Sequence, residues 1–195
     1  MADYSEILSP KRLRVIEKLR DLLEGINPTN TYPVQLGEDD PVETAYPIDM
    51  RGKVFIGRLT VSTEEAEDAL SLLENPRPID ASEAGSDKLL RVGDWILLLQ
   101  GWPRDDIKNP SIPAYKLAAM AEQRLARVVQ LDSGDNPVYP GDYLLGLDSL
   151  GDPEIESMSI GQSVVRPPQD ANSRLAMFYI PLVIRLVSNP STPFL

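Results

Sequence analysis

Asp94-Trp95-Ile96-Leu97-Leu98-Leu99-Gln100-Gly101-Trp102 is the stretch whose reading decides the fold class. From Trp95 to Leu99 every residue is apolar, so the run lacks the polar/apolar alternation of a strand with one face in water. It is also too short to stand as a helix of its own. The pattern predicts a central strand, Asp94 to Trp102, buried on both faces, and the segments on either side must supply what covers it.

Upstream, a helix is predicted from Ser9 as N-cap and Pro10 at the first helical position, where a missing N–H costs nothing, to Gly25. Leu13, Ile16, Leu19, Leu23 and Ile26 recur at three- and four-residue steps and mark one buried stripe. Lys11, Arg12, Arg14, Lys18 and Arg20 occupy the other faces together with Glu17, Asp21 and Glu24, a solvated, salt-paired surface rather than a basic patch. Downstream, Asp105 and Asp106 lead through Pro110 and Pro113 into a second helix, Ala114 to Leu131, with Leu117, Met120, Ala121, Leu125, Val128 and Val129 on one side.

Asn-Pro recurs at Asn27, Asn75, Asn109, Asn136 and Asn189, and these turn-starting dipeptides cut the rest of the chain into short pieces. Strands are predicted at Thr31 to Leu36, Lys53 to Val61, Ile155 to Ile160 and Arg174 to Val187. In Ser62 to Glu74, Ser62 with Glu65 resembles a capping box while Ala69 to Leu73 reads as a buried strand, so a short helical turn followed by a strand is expected. Pro181 cannot donate to a ladder and argues for an edge or a bulge in the last strand. Gly37 to Met50 and Asp132 to Pro153 are dense in Asp, Glu, Pro and Gly and read as loops. The expectation is an α+β fold: one domain over residues 1–195, a mainly antiparallel sheet with two helices packed on one face, and loop insertions at about 37–50 and 132–153.

Composition narrows the chemistry. The 195 residues include 30 Asp+Glu against 19 Lys+Arg, for a formal net charge of −11, and contain neither His nor Cys. Zinc sites of the usual kind, thiol nucleophiles, Ser-His-Asp triads and the common haem ligand sets all need those residues. A chain this acidic repels nucleic acid at long range. Zero Cys fits a reducing compartment without proving one. No run approaches the ~20 apolar residues of a membrane span, and Met1 to Glu6 lacks the features of a signal peptide.

The chemical motifs are equally sparse. Gly141 and Gly146 have the spacing of a phosphate-cradling loop, but Leu147-Asp148 stands where Lys-Ser/Thr would be needed. The pairs Asp39-Asp40 and Asp105-Asp106 are more simply turn and helix-start charges than metal or proton-sharing pairs. Trp95 and Trp102 flank the apolar strand and read as core and rim residues, or alternatively as the platform of a small-molecule or peptide-binding module. Trp95, Leu97, Leu99, Leu117 and Leu125 are the expected core.

Several segments, in this order, resemble the tail terminator, or tail completion, proteins of tailed bacteriophages. They are Gly52-Lys53-Val54-Phe55-Ile56-Gly57-Arg58, Ala69 to Pro78, Trp95 to Trp102, Asp105-Asp106, Asn109-Pro110 with Pro113-Ala114-Tyr115, and Phe178-Tyr179-Ile180-Pro181-Leu182-Val183-Ile184-Arg185. The resemblance covers most of the chain in loose form, and the two insertions depart from it. It implies a non-enzymatic virion structural protein, assembled in the host cytoplasm and located at the tail and neck. It implies a homo-oligomeric ring, commonly a hexamer, which ends tube polymerisation at the head-proximal end of the tail. The implied partners are the tail tube protein and the head–tail connector, with genomic DNA passing through without specific binding, no membrane, and no cofactor or metal. The insertions are then expected to dock partners through isolated apolar anchors: Tyr46 and Ile48 in the first, Tyr139, Tyr143 and Leu144 in the second. Phe194 and Leu195 at the extreme terminus are expected to dock on a neighbouring subunit.

Overall fold

The apolar run is the middle of a twelve-residue strand, Arg91–Trp102. The computed structural model describes residues 9–34, 41–60, 68–74, 91–104, 108–148, 150–168 and 176–188. In chain order its elements are α1 (Lys11–Glu24), β1 (Thr31–Val34), β2 (Val42–Ala45), β3 (Val54–Ile56), β4 (Ala69–Glu74), β5 (Arg91–Trp102), α2 (Ser111–Ala126), a 3₁₀ turn (Tyr143–Leu145), β6 (Ser157–Ile160), β7 (Val164–Arg166) and β8 (Met177–Ser188). The fold is α+β. β3-β4-β5-β8-β6 form one sheet, with β7 also paired to β8, and β1-β2 form a separate hairpin. Among the described residues only β3 with β4 runs parallel; the other pairings are antiparallel.

Register explains why β5 is apolar throughout. Trp95, Leu97 and Leu99 stand opposite Ile184, Leu182 and Ile180 of β8, and Leu99 stands opposite Leu72 of β4. This face carries the core, and α1 and α2 pack over it. Ile96, Leu98, Gln100 and Trp102 point to the other face, with Val183, Pro181 and Tyr179 across from the first three. The predicted core residues Trp95, Leu97, Leu99, Leu117 and Leu125 are all buried.

Local boundaries moved for identifiable reasons. Pro10 is the N-cap of α1 rather than its first helical residue, with ψ at 153°, and no side chain caps the helix. Leu13 faces outward, and the buried stripe is Val15, Ile16, Leu19, Leu22 and Leu23. α2 begins at Ser111, upstream of Pro113, because a proline in the first turn lacks only an N–H that would have no helical partner there. The first insertion is not all loop: Val42–Ala45 pairs with Thr31–Val34. β7 follows β6 so closely that the sequence reading missed it.

Pro181 sits inside the sheet, not at its edge. β6 ends opposite Leu182 and β7 begins opposite Tyr179, so Pro181 faces the junction between them, where Gly161 N donates to its carbonyl at 2.8 Å. The missing proline donor is therefore placed where no ladder bond is required. A Cβ on Gly161 would stand only 2.5 Å from Pro181 Cγ, so only glycine can approach this closely. The predicted turn around Ser62 and Glu65, the Asp39-Asp40 and Asp105-Asp106 pairs, and Phe194 and Leu195 lie outside the described residues.

Trp95→Ala is expected to cost about 3–5 kcal/mol, the range for removing a large buried aromatic. Tyr115→Ala, on the exposed face of α2, should stay within about 0.5 kcal/mol. Urea unfolding of both variants measures the difference; equal small effects would place Trp95 outside the core.

Candidate functional site

The second insertion is built by two aspartates. Asp132 Oδ1 accepts from the backbone N–H groups of Gly134 and Asn136 at 2.8 and 2.9 Å, and Asp148 Oδ1 accepts from those of Leu150 and Asp152 at 2.8 and 3.0 Å. Each closes a short loop, the second spanned by a bridge between Leu147 and Pro153 and the first by one between Leu131 and Pro137. The backbone donors favour the ionised carboxylates. They hold the Asp132 carboxyl below its ordinary range, while at Asp148 they outweigh the opposing effect of desolvation, with the same net direction.

Between these loops the chain returns to the helices. Leu144 N donates to Val128 O at 2.9 Å, and Leu144 and Leu145 take φ of 49° and 63°. Two successive non-glycine residues in the left-handed region cost on the order of 1–3 kcal/mol each, so tertiary contacts must hold them. Leu145 is buried, Leu144 packs against the core, and Glu154 clamps the far end of the insertion onto α1. Glu154 is 1% exposed and accepts from Arg14 Nε at 3.1 Å and Lys18 Nζ at 2.8 Å.

The turn and the two helices enclose a cleft of about 420 Å³ lined by Lys18, Asp21, Arg124, Gly141, Asp142 and Gly146, among others. Arg124 comes from the buried face of α2 and is 8% exposed. Its Nε donates at 2.8 Å to Leu22 O near the C-terminal end of α1, a carbonyl that also accepts from Gly25 N at 3.1 Å. The guanidinium lies against Gly25, where any Cβ would collide with it. Burial pulls the pKa of Arg124 below its usual value, and the like charge of Arg127 adds to that.

Arg127 lies over the Tyr139 ring, 4.0 Å from its centroid, and its Nε is 2.7 Å from Asp142 Oδ2, an ion pair without hydrogen-bond alignment. Tyr46 completes the group: it is 2% exposed and stacks on Tyr32 with centroids 4.6 Å apart. Burial pushes its phenol pKa up, against the pull of Arg124 and Arg127. The structure thus brings both insertions together around the cations at the C-terminal end of α2.

This placement corrects the docking assignments. Tyr46 is a core residue, because its ring fills the space between the β1–β2 hairpin and the helices, and Ile48 packs against the same core. Tyr139, Tyr143 and Leu144 are half-buried, Tyr139 under Arg127 and Leu144 against the core. The exposed large apolar side chains of the second insertion, among the described residues, are Val138, Leu147 and Leu150, the last two the most exposed. Trp95 and Trp102 cannot form one platform: strand alternation puts them on opposite faces of β5, and both are buried. Among the described residues no group of three or more metal-ligating side chains comes together.

Arg124 was missed, although a signal existed. Leu117, Ala121, Arg124 and Val128 follow helical steps of four, three and four, so the arginine sits in an otherwise apolar stripe. In comparisons with known proteins, no family model matches the chain, and no curated protein matches it.

Acid should loosen the second insertion before the sheet. With folded pKa values below the unfolded ones, the contribution of Asp132 and Asp148 is complete above the ordinary carboxylate value of ~3.9 and is lost as pH falls through the lowered folded values. Amide exchange is the check: at about pH 3 or below, Gly134, Asn136, Leu150 and Asp152 should lose protection while β5 and β8 keep theirs. Simultaneous loss in loop and sheet would contradict it.

Proposed function

We propose that the protein is a ring-forming virion structural subunit at the head-proximal end of a phage tail tube, where it ends tube polymerisation and joins tail to head connector. The sequence resemblance supplies the biological setting. The observation that carries assembly is the far face of β5 and β8. There Ile96 is 40% exposed beside half-buried Leu98, Pro181 and Val183, while α1 and α2 both lie on the opposite face. An apolar patch on the two longest strands of the sheet favours a protein partner over water.

A closed ring buries such a patch in every copy through one repeated contact and leaves none to recruit a further layer. The net charge of −11 suits passage of DNA, because a basic lumen would gain affinity with each neutralised phosphate and slow transit. Docking to neighbouring tail or neck proteins falls to Leu147 and Leu150 at the tip of the second insertion, which are exposed on a rigid turn.

Sedimentation of the purified protein is expected to give one discrete oligomeric mass, and Ile96→Asp with Val183→Asp should reduce it to a folded monomer. A wild-type protein that stays monomeric at all concentrations, and in assembled particles, would refute the reading. Leu147→Ser with Leu150→Ser should keep the ring and block the joining of tails to heads.

A further inference from the structure

The acidic groups around the cleft are already matched. Asp142 pairs with Arg127, Asp21 with Arg20, and Glu154 with Lys18 and Arg14. Arg124 has no such match: its Nε is bonded to a neutral carbonyl, and its Nη1 is closed off from solvent with no hydrogen-bond partner. A buried guanidinium normally has a carboxylate or several acceptors, because an uncompensated buried charge is strongly unfavourable. Here Asp142 acts on the guanidinium only through space, with no ion pair between them, and a cleft opens beside the cation.

We propose that this cleft is a binding site for a carboxylate group, which makes a charge-assisted hydrogen bond to the Arg124 guanidinium where that side chain lines the cleft. A planar monoanion suits the site. It matches the flat fork of donors that arginine presents, and it brings one negative charge to a cation that has no ion pair. A phosphate dianion would bring a second charge against Asp142 and Asp21 on the cleft wall. Lys18, held at the rim by Glu154, adds a positive field without being the main donor. The cleft volume of about 420 Å³ admits a small organic acid or an Asp or Glu side chain. Gly141 and Gly146 form part of its wall without side chains. This site does not depend on the ring reading, since it lies on the helical side of the sheet.

Saturation-transfer NMR on acetate and succinate with the full-length protein tests the site, with sodium chloride matching ionic strength. The expected result is a saturable signal that weakens about tenfold or more in Arg124→Met, the effect of losing a hydrogen bond to a charged group. Because Arg124→Met also removes the contact to Leu22, Gly141→Leu is the second variant. A Cβ there meets nothing within 4 Å, so the fold should survive, by unchanged thermal unfolding, while the cleft is filled and the signal is lost. If a second copy's Asp or Glu supplies the carboxylate, free acids give no signal, Gly141→Leu weakens self-association, and molar acetate weakens it in the wild type. A wild type with neither a saturable signal nor acetate-sensitive assembly, or a signal equal in both variants, overturns the proposal.

Discussion

The pairing of β5 with β8 is the constraint on which the rest of the structure depends. It runs without interruption from Arg91 opposite Ser188 to Gly101 opposite Phe178 and fixes which side chains face the helices. Because side chains alternate along a strand, a slip of one residue would send Trp95, Leu97 and Leu99 to the far face and bring Ile96 and Leu98 inward. The inner set is matched across to Ile184, Leu182 and Ile180, so the observed register places apolar side chains on both sides of these core contacts. α1 and α2 have only this surface on which to bury their stripes, and Gly101 leaves room for Phe178 where the sheet meets them.

A second tier depends on the first. With α1 and α2 held side by side on the sheet, the end of α1 falls within reach of Arg124, which substitutes for a C-cap side chain from a different helix. The β1–β2 hairpin then closes over this corner through Tyr32 and Tyr46, while the second insertion closes it from the other side through Leu144 and Leu145. Buried Glu154 works against two partly solvated cations, Arg14 and Lys18, so its desolvation is compensated twice. The corner is polar at its centre and apolar around it, which is why donors without a hydrogen-bond partner there, Arg124 Nη1 and Arg127 Nε, stand out.

The sheet and helices were legible because their signals are local. Trp95 to Leu99 could only be a doubly covered strand, and the stripes of α1 and α2 follow helical spacing. The two insertions were misread because composition says how much apolar area a segment carries but not where it goes. Tyr46 is one ring in a polar stretch, and its burial depends on Tyr32 and on the helix ends, which no nearby spacing encodes. The aspartates of Asp132-Ser133-Gly134 and Asp148 to Asp152 did carry a turn signal, which the acidic-loop reading absorbed. A charged residue on a helix ordinarily marks a solvent face, and only the apolar residues at helical steps from Arg124 signal its burial.

Edge geometry decides what kind of assembly this fold can enter. Among the described residues the sheet ends in β3 on one side and in β6 and β7 on the other, segments of three, four and three residues. Short edges offer few consecutive unpaired backbone groups, and the break at Gly161 and Pro181 interrupts the second one. Adding a strand from another chain is therefore a poor route to association. What the fold offers instead is side-chain surface: the far face of β5 and β8, and the leucines of the second insertion, displayed on turns held by their own aspartates. Contacts of that kind depend on shape, not on backbone ladders, so they can close on themselves in a fixed number of copies without templating further strands.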